Sequence, residues 1–211
     1  MDAAPLEPDG PFQAGRGVRG QYVYWITMPM PKPETVAAHG VKTPAEYSRE
    51  QFIELGVAVH TASGHDVVEA ACFQEPHADG QPHLNLLVRC SKQFRWLAVG
   101  KRYLAEHKIH VNFAPNIKTW MDGVVYGKVA SEHKSQDRLD QGPVQWAKNG
   151  QPTPFEQFLP ARWQEPGFVR KTKLASLAFN DLCLEHRVRN EGELWATAAA
   201  LSAQGDRGML A

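Results

Sequence analysis

Two apolar stretches folded back on a single turn constrain this chain more than any other feature. Val67 to Glu75 and His83 to Cys90 are dense in residues that favour strands, and Pro76-His-Ala-Asp-Gly-Gln-Pro82 joins them with an Asp-Gly pair flanked by prolines. The spacing predicts an antiparallel hairpin with its tip near Asp79. Residues equidistant from such a tip face each other, so Glu75 meets His83. Strand alternation puts His83 and Asn85 on one face and turns Leu84, Leu86 and Val88 to the opposite, buried side. A carboxylate, an imidazole and an amide therefore converge. A lone strand histidine is usually just a satisfied polar residue, so the joint placement of the three carries the argument. Their mixed oxygen and nitrogen set suits Mg²⁺ or Mn²⁺, with positions left for water and a phosphate oxygen, and suits a closed zinc site poorly.

The rest of the chain supplies partners for the hairpin. Tyr22 to Met28 is aromatic and β-branched and is closed by Pro29, Pro31 and Pro33, as expected of a buried strand. Thr43-Pro44-Ala-Glu46 carries the capping signals of a helix running to about Leu55. Ser91 to His107 has helical spacing with Ser91 as its cap, Ile109 to Phe113 alternates like a short strand, and Ile117 to about Lys134 predicts a helix weakened by glycine in its middle. The order β, α, β, β, α, β, α implies an α+β fold with an antiparallel central sheet and flanking helices.

Four regions follow. Residues 1–20, rich in Gly, Pro and Ala, read as a flexible leader, and 21–142 as the folded core. Residues 143–167 hold five prolines and read as an irregular connection. Residues 168–211 regain helical spacing, with Leu174, Leu177, Leu184, Leu194, Trp195 and Leu201, and predict a C-terminal helical pair for packing or for self-association into a homo-oligomer.

Lysine plus arginine equals aspartate plus glutamate at 23 each, which argues against a generic nucleic-acid coat and leaves only local basic clusters, Lys92 to Lys108 and Arg162 to Lys173. Cys72, Cys90 and Cys183 are far apart in sequence, which excludes a zinc ribbon and predicts free thiols in a reducing compartment. No apolar run approaches the roughly 20 residues of a membrane span, and the first residues lack the apolar stretch of a signal peptide. The expectation is an intracellular protein without a membrane partner, nuclear if its host is eukaryotic.

Glu75-Pro-His-Ala-Asp-Gly-Gln-Pro-His-Leu-Asn85 resembles the second motif of HUH endonucleases of the replication-initiator type, known from circular single-stranded DNA viruses. There a glutamate precedes, at this spacing, a Pro-His-Leu-His or Pro-His-Leu-Gln run. Asn85 replaces the last of these residues. Trp25-Ile-Thr-Met-Pro29 is similar to the family's first motif, which helps bind DNA near the nick and brings in Thr27. The third motif is a tyrosine on a helix after the sheet, usually with a lysine three residues on. Tyr126, the only tyrosine between Asn112 and Lys134, matches it, and Lys128 or Lys134 would be the lysine.

The resemblance covers about residues 22–134. It implies the ferredoxin-like HUH nuclease fold, a metal site of Glu75, His83 and Asn85, and metal-dependent nicking and rejoining of single-stranded DNA through a 5′-phosphotyrosine on Tyr126. Rolling-circle replication and single-strand transposition would both use that chemistry. No GxxxxGK[ST] loop follows, so the helicase of viral initiators is missing. That leaves an excised nuclease domain or a helicase-less, replitron-like HUH transposase.

Single-stranded DNA is commonly held by basic grooves with aromatic platforms. Lys92, Arg95, Trp96, Lys101 and Arg102 interleave charge with an aromatic, as do Arg162, Trp163, Arg170, Lys171 and Lys173, and Lys134 adds a further cation. Two rival readings share the hairpin: a non-catalytic nucleic-acid-binding module on the same sheet, and a metal-dependent hydrolase of small molecules.

Overall fold

The computed structural model describes residues 21–76, 80–170, 181–182, 184–190, 192–197 and 200. The predicted leader, His77 and Asp79 of the hairpin turn, Lys171 and Lys173, Cys183 and the residues after 200 lie outside this set.

Five strands form one antiparallel sheet: β1 (Gln21–Met28), β2 (Val67–Pro76), β3 (Pro82–Phe94), β4 (Asn112–Phe113) and β5 (Val144–Ala147), in the order β4-β1-β3-β2-β5. Helices α1 (Pro33–His39) and α2 (Arg49–Ala62) connect β1 to β2, α3 (Trp96–His107) connects β3 to β4, and α4 (Trp120–Lys128) follows β4. The α+β expectation holds, and the β-α-β-β-α-β core has the ferredoxin-like arrangement.

Strand alternation divides the interior into two layers. Tyr24, Ile26, Cys72, Leu84, Leu86 and Val88 pack against Phe52, Ile53 and Val59 of α2 and Val99 and Tyr103 of α3. Val23, Trp25, Ala71, Phe73 and Leu87 face the other way, onto Trp120, Met121, Val124 and Val125 of α4. The hairpin's Leu84, Leu86 and Val88 are thus on the buried face that alternation predicts. Its opposite face is also covered over part of its length, and the candidate site lies on that side.

Element boundaries depart from the sequence reading in several places. Thr43 does cap at Pro44, but only a 3-10 turn follows, Pro44–Glu46; Ser48 then opens α2 with its own capping box, so the helix runs about seven residues further than expected. Pro33, read as part of a strand stop, starts α1 from a position where proline's missing N–H costs nothing. Ser91 caps nothing, because β3 continues to Phe94 alongside Gln21. Helix α4 ends at Lys128 rather than near Lys134.

The presumed irregular connection is structured. Val144–Ala147 pairs with β2 as an edge strand, and Phe155, Phe158, Leu159 and Trp163 are buried under the α4 layer. The described residues between 181 and 186 and between 192 and 197 are helical. Leu194 is fully buried there, and Trp195 packs on Trp120 and Phe158 with ring centroids 5.9 and 4.7 Å away. These two apolar residues, read as available for self-association, are occupied within the chain. Cys72 and Cys90 are buried free thiols, as expected. Among the described residues no helix is long and apolar enough to cross a membrane.

Candidate active site

The predicted register is observed: Glu75 lies opposite His83, and Phe73 opposite Asn85. On the other side of β3, Thr27 of β1 lies opposite Asn85. Thr27, Glu75, His83 and Asn85 therefore share one face at one end of the sheet. They line a cleft of about 420 Å³ together with Tyr126, Lys134 and three residues that the sequence did not suggest as functional partners, Gln81, His133 and Arg138.

Tyr126 reaches this cleft because α4 approaches the sheet very closely. Thr119 and Asp122 form a reciprocal capping box at the helix start, Thr119 Oγ1 accepting from the Asp122 N–H at 3.0 Å and Asp122 Oδ2 from the Thr119 N–H at 3.0 Å. Gly123 and Gly127, one turn apart, then face the sheet. A Cβ on Gly123 would strike Leu87, and one on Gly127 would sit 2.5 Å from Phe73 Cε1. The glycines that weakened the helix in sequence are thus its contact surface. Between these two glycines in the sequence, Tyr126 packs its ring edge-on against Trp25, centroids 4.9 Å apart at 78°, and stays 38% exposed.

Lys134 ties the elements together. Its ammonium donates to Glu75 Oε1 and, at 3.1 Å, to the backbone carbonyl of Tyr126, which the end of α4 leaves without a helical partner. It also lies 4.8 Å from the Tyr126 ring centroid. Burial lowers the Lys134 pKa, and Glu75 opposes that shift. Burial likewise raises the Tyr126 pKa, reinforced by the Glu75 charge and opposed by Arg170 and Arg138.

Of the two candidate lysines only Lys134 is in the cleft. Lys128 is two residues past Tyr126, about 200° around a helix at 3.6 residues per turn, and its ammonium lies 5.9 Å from the Phe155 ring centroid. Of the two lysines that the sequence left open as the one beside the nucleophile, Lys128 does not line the cleft.

The basic cluster proposed for DNA does not adjoin the cleft. Lys92 is seven residues beyond Asn85 on the same strand, roughly 23 Å at about 3.3 Å per residue. Arg95 precedes α3, and Arg102 pairs with Glu106 at 3.1 Å on that helix, in the opposite layer from Tyr126. Trp96 is 5% exposed and packs on Tyr24 and Phe113, centroids 5.8 and 5.4 Å away, so it offers no face to a base. In the second cluster, Arg162 pairs with Asp181, and Trp163 is buried and donates to the same carboxylate at 3.0 Å. Thr27 is in the cleft, but its hydroxyl donates to Asn85 Oδ1 at 2.7 Å.

For a divalent cation, two of the three expected ligands suit. Glu75 Oε2 and His83 Nε2 are 3.5 Å apart, a separation that one ion bonded to both at about 2.1 Å would span. Asn85 does not suit, because its Oδ1 accepts from Trp25 Nε1 at 3.2 Å as well as from Thr27, which engages both lone pairs. Among the described residues no three His, Cys, Asp or Glu side chains gather at one point. Compared with known protein families and curated proteins, the chain matches no family model and no sequence.

Proposed function

We propose that this protein is a single-tyrosine endonuclease and strand transferase for single-stranded DNA. The observation that carries the reading is that one cleft is lined by an accessible phenol, Tyr126, and by a carboxylate–imidazole pair, Glu75 and His83, suited to a divalent cation. The motif resemblance pointed to these residues, and their convergence supports it.

In this reading Tyr126 Oη attacks a backbone phosphorus. The new O–P bond forms as the bond to the 3′-oxygen breaks, the phenolic proton leaves, and the departing oxygen takes up a proton as a 3′-hydroxyl. The strand's 5′ end stays on Tyr126 as a phosphodiester, so a 3′-hydroxyl can reverse the attack and rejoin strands without ATP. Glu75 and His83 would hold Mg²⁺ or Mn²⁺, which when bound supplies charge stabilisation to the pentavalent phosphorus and offsets the carboxylate charge opposing phenolate formation. Lys134 holds Glu75 and the end of α4 in register, and Trp25 fixes the plane of the phenol.

Incubation of the protein with 5′- and 3′-labelled single-stranded oligonucleotides and Mn²⁺, followed by a denaturing gel, tests this. The expected result is a covalent adduct carrying only the 3′ label, absent with Tyr126→Phe and with EDTA. Binding without any adduct across varied sequences would favour the non-catalytic nucleic-acid-binding module instead.

A further inference from the structure

Two residues that line the cleft carry a buried hydrogen-bond donor with no acceptor among the described residues: Asn85 Nδ2 and Arg138 Nε. The orientation of Asn85 follows from chemistry. An indole nitrogen can only donate, so the Asn85 atom facing Trp25 Nε1 must be the oxygen, and exchanging the amide atoms would set donor against donor. The Thr27 hydroxyl shares that oxygen. What Asn85 has left is its NH₂ group, on a side chain only 1% exposed.

A buried donor without an acceptor is costly. Here two sit along one cleft, and one belongs to a guanidinium. A cation could satisfy neither, since Asn85 has no oxygen to spare and Arg138 repels it. A neutral carbonyl could accept from the amide but would gain little from the charge. An anion that only accepts, with oxygens spread tetrahedrally, can meet both, and guanidinium–phosphate bonds are among the strong ones. Lys134 is the weaker competitor, because two of its three ammonium donors are engaged by Glu75 and the Tyr126 carbonyl.

We infer that Asn85 and Arg138 form a donor pair for a non-bridging phosphodiester oxygen, so that position 85 grips the phosphate of the substrate and does not ligate the cation. The inference rests on the reading of the substrate as single-stranded DNA. It leaves Glu75 and His83 as the ligands of the ion among the described residues and gives the cleft a phosphate hold that works without metal.

The test uses ¹⁵N-labelled full-length protein in EDTA. The side-chain NH₂ resonances of Asn85 are identified by their loss in Asn85→Asp, which retains an oxygen facing Trp25 and Thr27. Titration with a short thymidine oligonucleotide, and separately with inorganic phosphate, is expected to shift those resonances. A response to neither probe overturns the proposal, and so does a response to free phosphate alone, which would mean a site for a free anion and not a diester. Asn85→Ala and Arg138→Gln should each weaken oligonucleotide binding in EDTA at least fivefold, while Asn85→Ala keeps Mn²⁺ affinity, measured by paramagnetic resonance, within twofold. A tenfold loss of Mn²⁺ affinity in Asn85→Ala would make Asn85 a metal ligand after all. If Asn85→Ala does not fold, the resonances of the unmodified protein still decide. Failure of Tyr126 to form an adduct, with the phosphate response intact, would sink the strand-transfer reading and leave the donor pair standing.

Discussion

In the cleft, the residues Lys134 and Glu75 are 7% and 4% exposed and paired, so each charge must be compensated by the other. Removing one partner of such a pair costs more than the pair itself contributes, because the survivor stays buried and unpaired. Lys134→Met should therefore lower unfolding free energy by roughly 3 kcal/mol in EDTA, measured by urea denaturation; equal stability would mean that water already reaches Glu75. Tyr126 yields a second prediction at this scale. Burial and Glu75 both raise its pKa above the ordinary value of about 10. The reactive phenolate therefore grows with pH across the whole working range, and adduct formation should climb from pH 6 to 9 without a plateau, as read in single-turnover assays. A plateau near neutrality would assign the rate-limiting proton to another group.

Helix α4 and the hairpin are the two elements whose fit decides the site. Gly123 and Gly127 let the helix axis come close enough to place Tyr126 against Trp25. A methyl group at Gly127 would meet the rigid ring of Phe73, which is fully buried, stacked on Trp25 with centroids 5.2 Å apart and tilted against Phe155 at 5.4 Å. Gly127→Ala should thus cost about 1–3 kcal/mol through overpacking, although alanine is the better helix former. Because the helix must shift, adduct formation should fall further than stability does, and a thermal melt beside the gel assay separates the two effects. An unchanged Tm would show that the ring can yield. The hairpin end is braced separately: Asp140 accepts from Arg49 through two bonds of 2.7 Å and from the Gln74 N–H at 2.7 Å, just past the point where β5 pairing stops. Burial pushes the Asp140 carboxyl up, but the hydrogen bonds from Arg49, Gln74 and Gly142 outweigh it and hold it below the usual carboxylate range.

Across the whole molecule, the C-terminal segment closes the α4 layer at the end of the sheet away from the cleft. Arg89 of β3 lies 3.9 Å from the Trp195 ring centroid and reaches Glu69 of β2 at 3.5 Å. Burial raises the Glu69 pKa to about 7, against the pull of Arg89. A carboxyl whose folded pKa is raised contributes stability that is fully present below its unfolded value, near 4.5, and is lost as pH rises through the folded value. Glu69→Gln should therefore match the parent protein near pH 4 and exceed it at pH 8 by on the order of 2 kcal/mol, as read from thermal melts at both pH values. A variant that loses stability at pH 8 would mean that the Glu69–Arg89 attraction outweighs the cost of burying the charge.

The hairpin was legible in the sequence because its determinants are local. A turn built from Asp-Gly and prolines sets the register, and period-two alternation then dictates that Glu75, His83 and Asn85 share a face, whatever surrounds them. Tyr126 could be selected by motif likeness alone. Whether its ring meets that face depended on two glycines that read in sequence as a helix defect and in the structure as a contact surface. The same limit explains the errors: Trp96 and Lys128 had suitable chemistry, but which layer buries the one and which helix side carries the other are set by packing between distant segments. Lys134 and Arg138 are far along the chain from Trp25 and Thr27, the two donors that fix the Asn85 amide. Only the tertiary fold brings them together, because long-range burial and hydrogen bonding leave no periodic trace in a linear sequence.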